Sequence, residues 1–383
     1  MQDFFVNDGH KEKNGLAGEN AAESVSVSGG PMTTSAGFPR EEPWQGRVEF
    51  DIPFAPQINQ HLAQASSQLL SWITEFGLLR SCEAVDHFVS WRPAELPARW
   101  FPDASASDLQ LGTDLLAWLM LLDDQFDGPL GRRPDQAMRV VAELIKVFDP
   151  RDVGRQASAP AAVQALEDLW AREQEGMTAR WRARAARNWC EYLRSFVTEA
   201  DNRRRDHIPD TAEYLELRDK TGIMYVLLDA AERVGRYEVP EPVYQSPAFQ
   251  EMYRLTVLVA SVVNDLLGLK KEETRGDPHN LVLVLQRQRT CSRTEALAET
   301  VAMVRGWTNR FLQLEALIPG VCDDLHIAIT DRVAGYRLIG AMRAAMRASY
   351  DWCAISERYA SESIAFLGTM GCLDDIVTTT SQE

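Results

Sequence analysis

Apolar residues recur at helical spacing along most of this chain, and strict alternation of apolar and polar positions extends over no useful length. Ile58, Leu62, Ala65, Leu69, Leu70 and Ile73 set the pattern of a first helix that runs toward Gly77. Ser105-x-x-Asp108 reads as a capping box for a second, dominated by the run Leu115 to Leu122 and ended by Gly128-Pro129. Gly131-Arg132-Arg133-Pro134 keeps the following loop open, and a helix then spans Ala137 to Phe148. Ala161 to Asp201 reads as one nearly continuous helix, with Trp181, Ala185, Trp189, Tyr192, Leu193 and Phe196 forming a core stripe. Its Arg180, Arg182, Arg184 and Arg187 read as the solvated face. Ile208-Pro209-Asp210-Thr211 starts another helix, and an apolar run from Leu255 to Val263 reads as a buried one that continues to Glu272. Ser292-x-x-Glu295 caps a helix past Trp307 and Phe311, and a last helical region spans Asp323 to Phe366. Phe50-Asp51-Ile52-Pro53-Phe54 is too short and Pro-broken for a sheet strand. The pattern predicts a single all-α domain of roughly ten to twelve helices over residues 47–383. Residues 1–46, rich in Gly, Ser, Glu, Asn and Thr, read as a disordered tail.

Composition narrows the function. With 383 residues and 45% hydrophobic content, the chain can bury a sizeable core. A net charge of −16 argues against a nucleic-acid partner, which needs a surplus of Lys and Arg. The six cysteines are scattered without CxxC or zinc spacing and read as reduced thiols. The tail has neither the basic nor the apolar region of a signal peptide, and no uncharged apolar run reaches ~20 residues. These features give a cytoplasmic expectation with no membrane span.

Two acidic rows carry the candidate chemistry. Asn264, Gly268 and Glu272 stand at i, i+4 and i+8, on one helix face. An amide oxygen and a carboxylate at the ends of that row are hard ligands of the kind Mg²⁺ takes, with waters completing its octahedron. Upstream, the apolar run ends in Asp123-Asp124-Gln125-Phe126-Asp127. Asp123 and Asp127 share a face, and Asp124 points about 100° away. Such like charges repel, and carboxylates are unfavourable at the negative end of a helix, unless a cation lies between them. A solvated helix face is the alternative for either row alone; two rows facing each other would hold divalent ions that grip phosphates.

Asp123–Asp127 resembles the aspartate-rich DDxxD motif of microbial class I terpene synthases, and Asn264–Glu272 resembles their second metal motif. Arg218, which stands 264 − 218 = 46 residues before Asn264, matches the diphosphate-sensing arginine of that family. Thr221 and Gly222 match its linker and effector positions, Lys271 a diphosphate-binding lysine, and Arg358-Tyr359 the C-terminal arginine–tyrosine pair. On local grounds Gly222 reads as a close helix contact, and it can also break the helix one turn after Arg218. The resemblance implies an all-α barrel around an apolar cavity that binds an isoprenyl diphosphate through three Mg²⁺ ions, with Mn²⁺ as the other candidate ion. Arg218, Lys271 and Arg358 would then stabilise the departing diphosphate, Tyr359 would hydrogen-bond to it, and Asp123, Asp127, Asn264, Gly268 and Glu272 would form the metal site. Trp352 is the best candidate wall residue beside the substrate, followed by Trp118 and Phe126. Leu119-Met120 stands where the family often places cavity aromatics.

One departure is visible. The middle position of the second motif is a Ser or Thr hydroxyl in the family and is Gly268 here. A water in place of that hydroxyl and a steric need for glycine are both open at this stage. The resemblance implies cyclisation of an isoprenyl diphosphate, farnesyl diphosphate first, with geranyl or geranylgeranyl diphosphate as alternatives; a homodimer is compatible with it. A chain-elongating prenyltransferase would need a second DDxxD, which is missing. A catalytically degenerate isoprenoid binder of the same fold is the non-enzymatic alternative.

Overall fold

The computed structural model describes residues 6–7, 47–149, 159–359, 373 and 376. Among these, fourteen α-helical segments follow one another. They are α1 (Leu62–Glu75), α2 (Cys82–Ser90), α3 (Glu95–Trp100), α4 (Ala106–Asp127), α5 (Pro134–Ile145), α6 (Ala161–Gln174) and α7 (Ala179–Arg204). After these come α8 (Thr211–Thr221), α9 (Met224–Gly235), α10 (Glu241–Tyr244), α11 (Pro247–Arg275), α12 (Leu281–Arg289), α13 (Arg293–Asp324) and α14 (Ile329–Cys353). The described sheet content is one ladder, Val6–Asn7 antiparallel to Arg47–Val48. Apart from that pair, the N-terminal tail lies outside the described residues.

The all-α expectation holds, with more breaks than the periodicity shows. The expected helix over 161–201 is split into α6 and α7 at Gly176, whose φ of +77° suits glycine, and the Thr178 hydroxyl restarts the chain by accepting from the Trp181 N–H. Arg184, expected in solvent, is buried between Asp229 and Glu232 on α9. The last helix stops at Cys353 and a 3-10 turn, Glu357–Tyr359, follows; the expected continuation over 361–366 lies outside the described residues. Ser105 caps α4 through the Asp108 N–H, but the Asp108 carboxylate serves Arg233 and Arg236 in addition to the Ser105 hydroxyl.

Helix α11 is the axis of the molecule. Ser246 caps it, Pro247 occupies its first turn, and Gly276 ends it at φ +66°. It is buried all round from Leu255 to Val263 and packs chiefly on α13 and α14. Its composition and length alone would let it cross a membrane, which the sequence reading had not expected, but 83% of its apolar window is buried inside the protein. A helix apolar all round is a buried core helix, and the polar end of α11 faces the end of α4.

Candidate active site

Four segments meet at one mouth: the last turn of α4, the end of α8, the C-terminal half of α11 and the 3-10 turn after α14. On α4, oxygens of Asp123, Asp124 and Asp127 all lie within 4.8 Å of one another. Arg358 reaches them from the 3-10 turn, donating to Asp123 Oδ2 at 2.7 Å and Asp124 Oδ1 at 2.9 Å. Lys271 of α11 lies 3.0 Å from Asp127 and 3.7 Å from Asp124, and Arg275 also donates to Asp127. Burial alone would raise the Asp127 carboxyl, but Lys271, Arg275 and Arg203 outweigh it and hold the group well below the usual range. Asp124, expected to point away from the row, is drawn into it by Arg358 and Lys271. The crowded carboxylates at the negative end of α4 are therefore countered by the cations expected to hold a diphosphate.

The second row forms as its spacing requires. Asn264 is an intermediary: its Oδ1 accepts from Arg218 at 3.0 Å and its Nδ2 donates to the Tyr359 hydroxyl at 2.6 Å. Arg218 also donates to the Ser261 carbonyl at 3.2 Å and pairs with Asp265 at 2.9 Å. Asp265 is fixed in turn by the Tyr214 hydroxyl at 2.6 Å. Glu272 accepts from Asn280 at 3.3 Å, and its carboxylate lies over Gly268, where an added Cβ would stand 3.0 Å from both oxygens. Burial, with Asp265, Asp277 and Asp127 adding to it against the pull of Lys271, pushes the Glu272 carboxyl up to about 8. One Asp124 oxygen is buried with no hydrogen-bond partner among the described residues. Crowded hard oxygen donors, one of them unpartnered, suit a hard divalent cation.

Below the mouth lies a cavity of about 130 Å³. Asp123, Arg218, Asn264, Arg358 and Tyr359 line its polar end, and Leu116, Leu119, Met120, Leu227 and Trp352 part of its apolar wall. Asp127, Gly268, Lys271 and Glu272 do not line it. Trp352 donates its indole N–H to the Trp91 and Arg92 carbonyls, both at 3.1 Å, and so offers only its ring. Trp118 and Phe126 face elsewhere: Trp118 donates to the Ala162 carbonyl and packs edge-on against Trp189, and Phe126 stacks on Phe196. The aromatics that replace them in the lining are Trp100 and Tyr192. Tyr192 had been absorbed into the core stripe of α7, and Trp100 ends α3.

Thr221 and Gly222 also line the cavity, at the break between α8 and α9. A Cβ on Gly222 would lie 2.3 Å from Ser261 Oγ and 2.9 Å from the Arg218 carbonyl, so glycine is required by close packing. The reversal itself falls on Ile223, at φ +58°, an unusual conformation for a β-branched residue. Both readings of Gly222 thus describe the same place. Arg275 and Asn280 were missed. Arg275 stands one turn after Lys271 on the same helix, and that spacing was a usable signal. Locally Asn280 reads only as the cap of α12, its Oδ1 accepting from the Val282 N–H; its Nδ2 contacts to the Asp265 carbonyl and Glu272 come from α11 and leave no local sign.

The model of the terpene synthase family 2 C-terminal metal-binding region matches residues 114–310, and the chain belongs to that family. It is a microbial class I terpene synthase. It is 34% identical over 331 residues to a pentalenene synthase from Streptomyces arenae, covering 86% of this chain and 97% of that one. It is 31% identical over 340 residues to a (2E,6E)-farnesyl diphosphate-cyclizing 7-epi-alpha-eudesmol synthase from Streptomyces viridochromogenes, covering 86% and 98%. The crystal structure of germacradien-4-ol synthase from Streptomyces citricolor superposes with a TM-score of 0.72 at 32% identity, over 80% of this chain and 98% of that one. Family membership carries with it an isoprenyl diphosphate substrate and a divalent-metal site.

Proposed function

We propose that the chain ionises farnesyl diphosphate with Mg²⁺ and cyclises the resulting cation to a terpene, releasing diphosphate. The observation that carries this reading is a single cavity with Arg218, Arg358, Asn264 and Tyr359 at one end and an apolar wall at the other. The farnesyl chain length rests on similarity to the eudesmol synthase. Asp123, Asp127, Asn264 and Glu272 would hold the metal, with Asp124 close by and Gly268 leaving one ligand place to a water. Bound there, Mg²⁺ (three ions, or Mn²⁺ in its place) supplies positive charge that stabilises the developing negative charge on the leaving group.

The rest falls to the protein. Arg218, Lys271 and Arg358 are charge-assisted donors aimed at the mouth, and they stabilise the departing diphosphate as the allylic C–O bond breaks. Tyr359, held by Asn264 at 2.6 Å, adds a neutral hydrogen bond to it. Leu119 and Leu227 give the cation no nucleophile, and with Met120 they exclude bulk water. The Trp352 ring offers a π face for positive charge, with its N–H engaged elsewhere. Asn280 fixes the Glu272 carboxylate, and Arg203 clamps the loop after α11 by pairing with Asp277 at 2.8 Å.

The test is incubation of the purified chain with Mg²⁺ and geranyl, farnesyl or geranylgeranyl diphosphate, followed by analysis of volatiles. Farnesyl diphosphate is expected to give a cyclic sesquiterpene and the other two markedly less product. Preference for another chain length would overturn the substrate assignment. No product from any of them would favour a degenerate isoprenoid binder.

A further inference from the structure

Ser261 is 4% exposed, and its hydroxyl has no hydrogen-bond partner among the described residues. Buried helical hydroxyls normally avoid that state by bonding back to the carbonyl four residues earlier. Thr113, Thr256, Thr300 and Thr308 all do so here, at 2.8–2.9 Å, and Thr256 is on the same helix as Ser261. Ser261 instead turns its hydroxyl toward Gly222, and it lines the cavity. Thr221, the residue before Gly222, also lines the cavity with a buried hydroxyl that has no partner among the described residues. The two hydroxyls are not bonded to each other. They form a polar spot on an otherwise mainly apolar wall, one helical turn from Asn264 on the side away from Glu272.

An unpartnered buried polar group in a native protein calls for a ligand or a water. At about 130 Å³ the cavity far exceeds the roughly 10–15 Å³ that one water needs. Two hydroxyls can each donate to or accept from that water, leaving a lone pair directed into the chamber. The position is tied to the ionisation machinery, since Arg218 donates both to the Ser261 carbonyl at 3.2 Å and to Asn264 at 3.0 Å.

We propose that Ser261 and Thr221 seat a water molecule beside Gly222, and that this water captures the terminal carbocation, so that the product is a terpene alcohol. The inference rests on the cyclisation reading above. A lone pair of the water closes a C–O bond to the cationic carbon, and the resulting oxonium passes a proton to the diphosphate released at ionisation. Ser261 and Thr221 act as positioning residues through the water and set the ratio of alcohol to hydrocarbon.

The experiment is product analysis in ¹⁸O-labelled water for the parent, Ser261→Ala, Thr221→Val and Thr221→Ser. The parent is expected to give a labelled terpene alcohol. Ser261→Ala and Thr221→Val, each close in volume to the original residue, are expected to lower the alcohol-to-hydrocarbon ratio by roughly tenfold, the effect of losing about one hydrogen bond to the water. Thr221→Ser keeps the hydroxyl and is expected to keep the ratio near that of the parent. A parent that makes only hydrocarbon, or an alcohol share unchanged in both deletion variants, would overturn the water seat while leaving the cyclase reading intact. Absence of any terpene from all the diphosphates would remove both.

Discussion

On the flank where α7 meets α9, Arg184 lies between Asp229 and Glu232, all buried, and every carboxylate oxygen has a donor. Arg184 and Asn188 serve Asp229, while Arg184 and the Val239 N–H serve Glu232. At the mouth between α4 and α11, Arg358, Lys271 and Arg275 lie among Asp123, Asp124 and Asp127, with similar residue types and comparable shielding of most groups. There the matching is incomplete: Asp123 keeps 42% of its side chain exposed, and one Asp124 oxygen has no described partner. Saturated pairs that share a closed set of donors resist exchange, because breaking one strands a buried charge. Pairs left open to solvent and unsatisfied on one side can exchange partners. The flank is built to hold helices together, whereas the mouth leaves its cations and carboxylates able to exchange partners.

The comparison breaks most sharply at the mouth. Asp123→Asn and Glu272→Gln are each expected to lower turnover by more than the roughly 10–100-fold that loss of an outer partner costs at a metal site. The melting temperature of Glu272→Gln should hold, because burial already favours the protonated carboxyl that Gln resembles. Near-normal turnover of either variant at saturating Mg²⁺ would contradict the metal assignment. The flank should respond the other way. Arg184→Met strands Asp229 and Glu232 and is expected to destabilise the fold by about 3–5 kcal/mol, measured by denaturant unfolding, with turnover per folded molecule preserved. A stable Arg184→Met protein would show that the flank is less saturated than its geometry indicates.

Gly268 gives a smaller effect. The Glu272 carboxylate that a Cβ would approach at 3.0 Å is the far end of a flexible side chain, and it can shift by a few tenths of an ångström. Gly268→Ser is expected to lower the Mg²⁺ concentration for half-maximal activity and to raise stability slightly, since Ser suits a helix interior better than Gly. An unchanged or higher Mg²⁺ requirement would mean that the glycine is there for clearance.

A pH-dependent effect concerns Glu173, buried on α6, which accepts from the Trp189 indole N–H at 3.1 Å and whose carboxyl is pushed by burial from 4.5 to about 8. A carboxyl with a raised folded pKa keeps its proton in the native state, so its contribution is complete below the unfolded value and is lost as pH rises through the folded one. The parent should therefore lose stability relative to Glu173→Gln between about pH 5 and about pH 9. Parallel melting curves over that range would contradict the shift.

Much of this site was legible in the sequence, for a local reason. Asp123–Asp127 and Asn264–Glu272 are patterns within one helix, where a period of 3.6 converts spacing directly into a shared face. Arg184 was misread because its partners lie on another helix, and a run of arginines resembles a solvated face until Asp229 and Glu232 are brought against it. Trp118 and Phe126 were misassigned because an apolar helix buried all round gives no sign of which side meets a cavity and which meets other helices. Ser261 gave no local signal; its meaning comes from a missing bond, visible only beside Thr256 and the other hydroxyls that make theirs. Breaks at Gly176 were available in principle, since glycine followed by a Thr cap two residues later marks a restart.

The claim that the mouth's cations and carboxylates exchange partners is tested most directly by thermal unfolding with Mg²⁺ and inorganic diphosphate, added singly and together. Arg358 and Lys271 become free to grip diphosphate only when a metal takes over Asp123, Asp124 and Asp127, so the two ligands must strengthen each other's binding. The expected result is a large rise in melting temperature with both present and little with diphosphate alone. An equal rise with diphosphate in the absence of metal would show that the cations were never held by the carboxylates, contradicting the exchange.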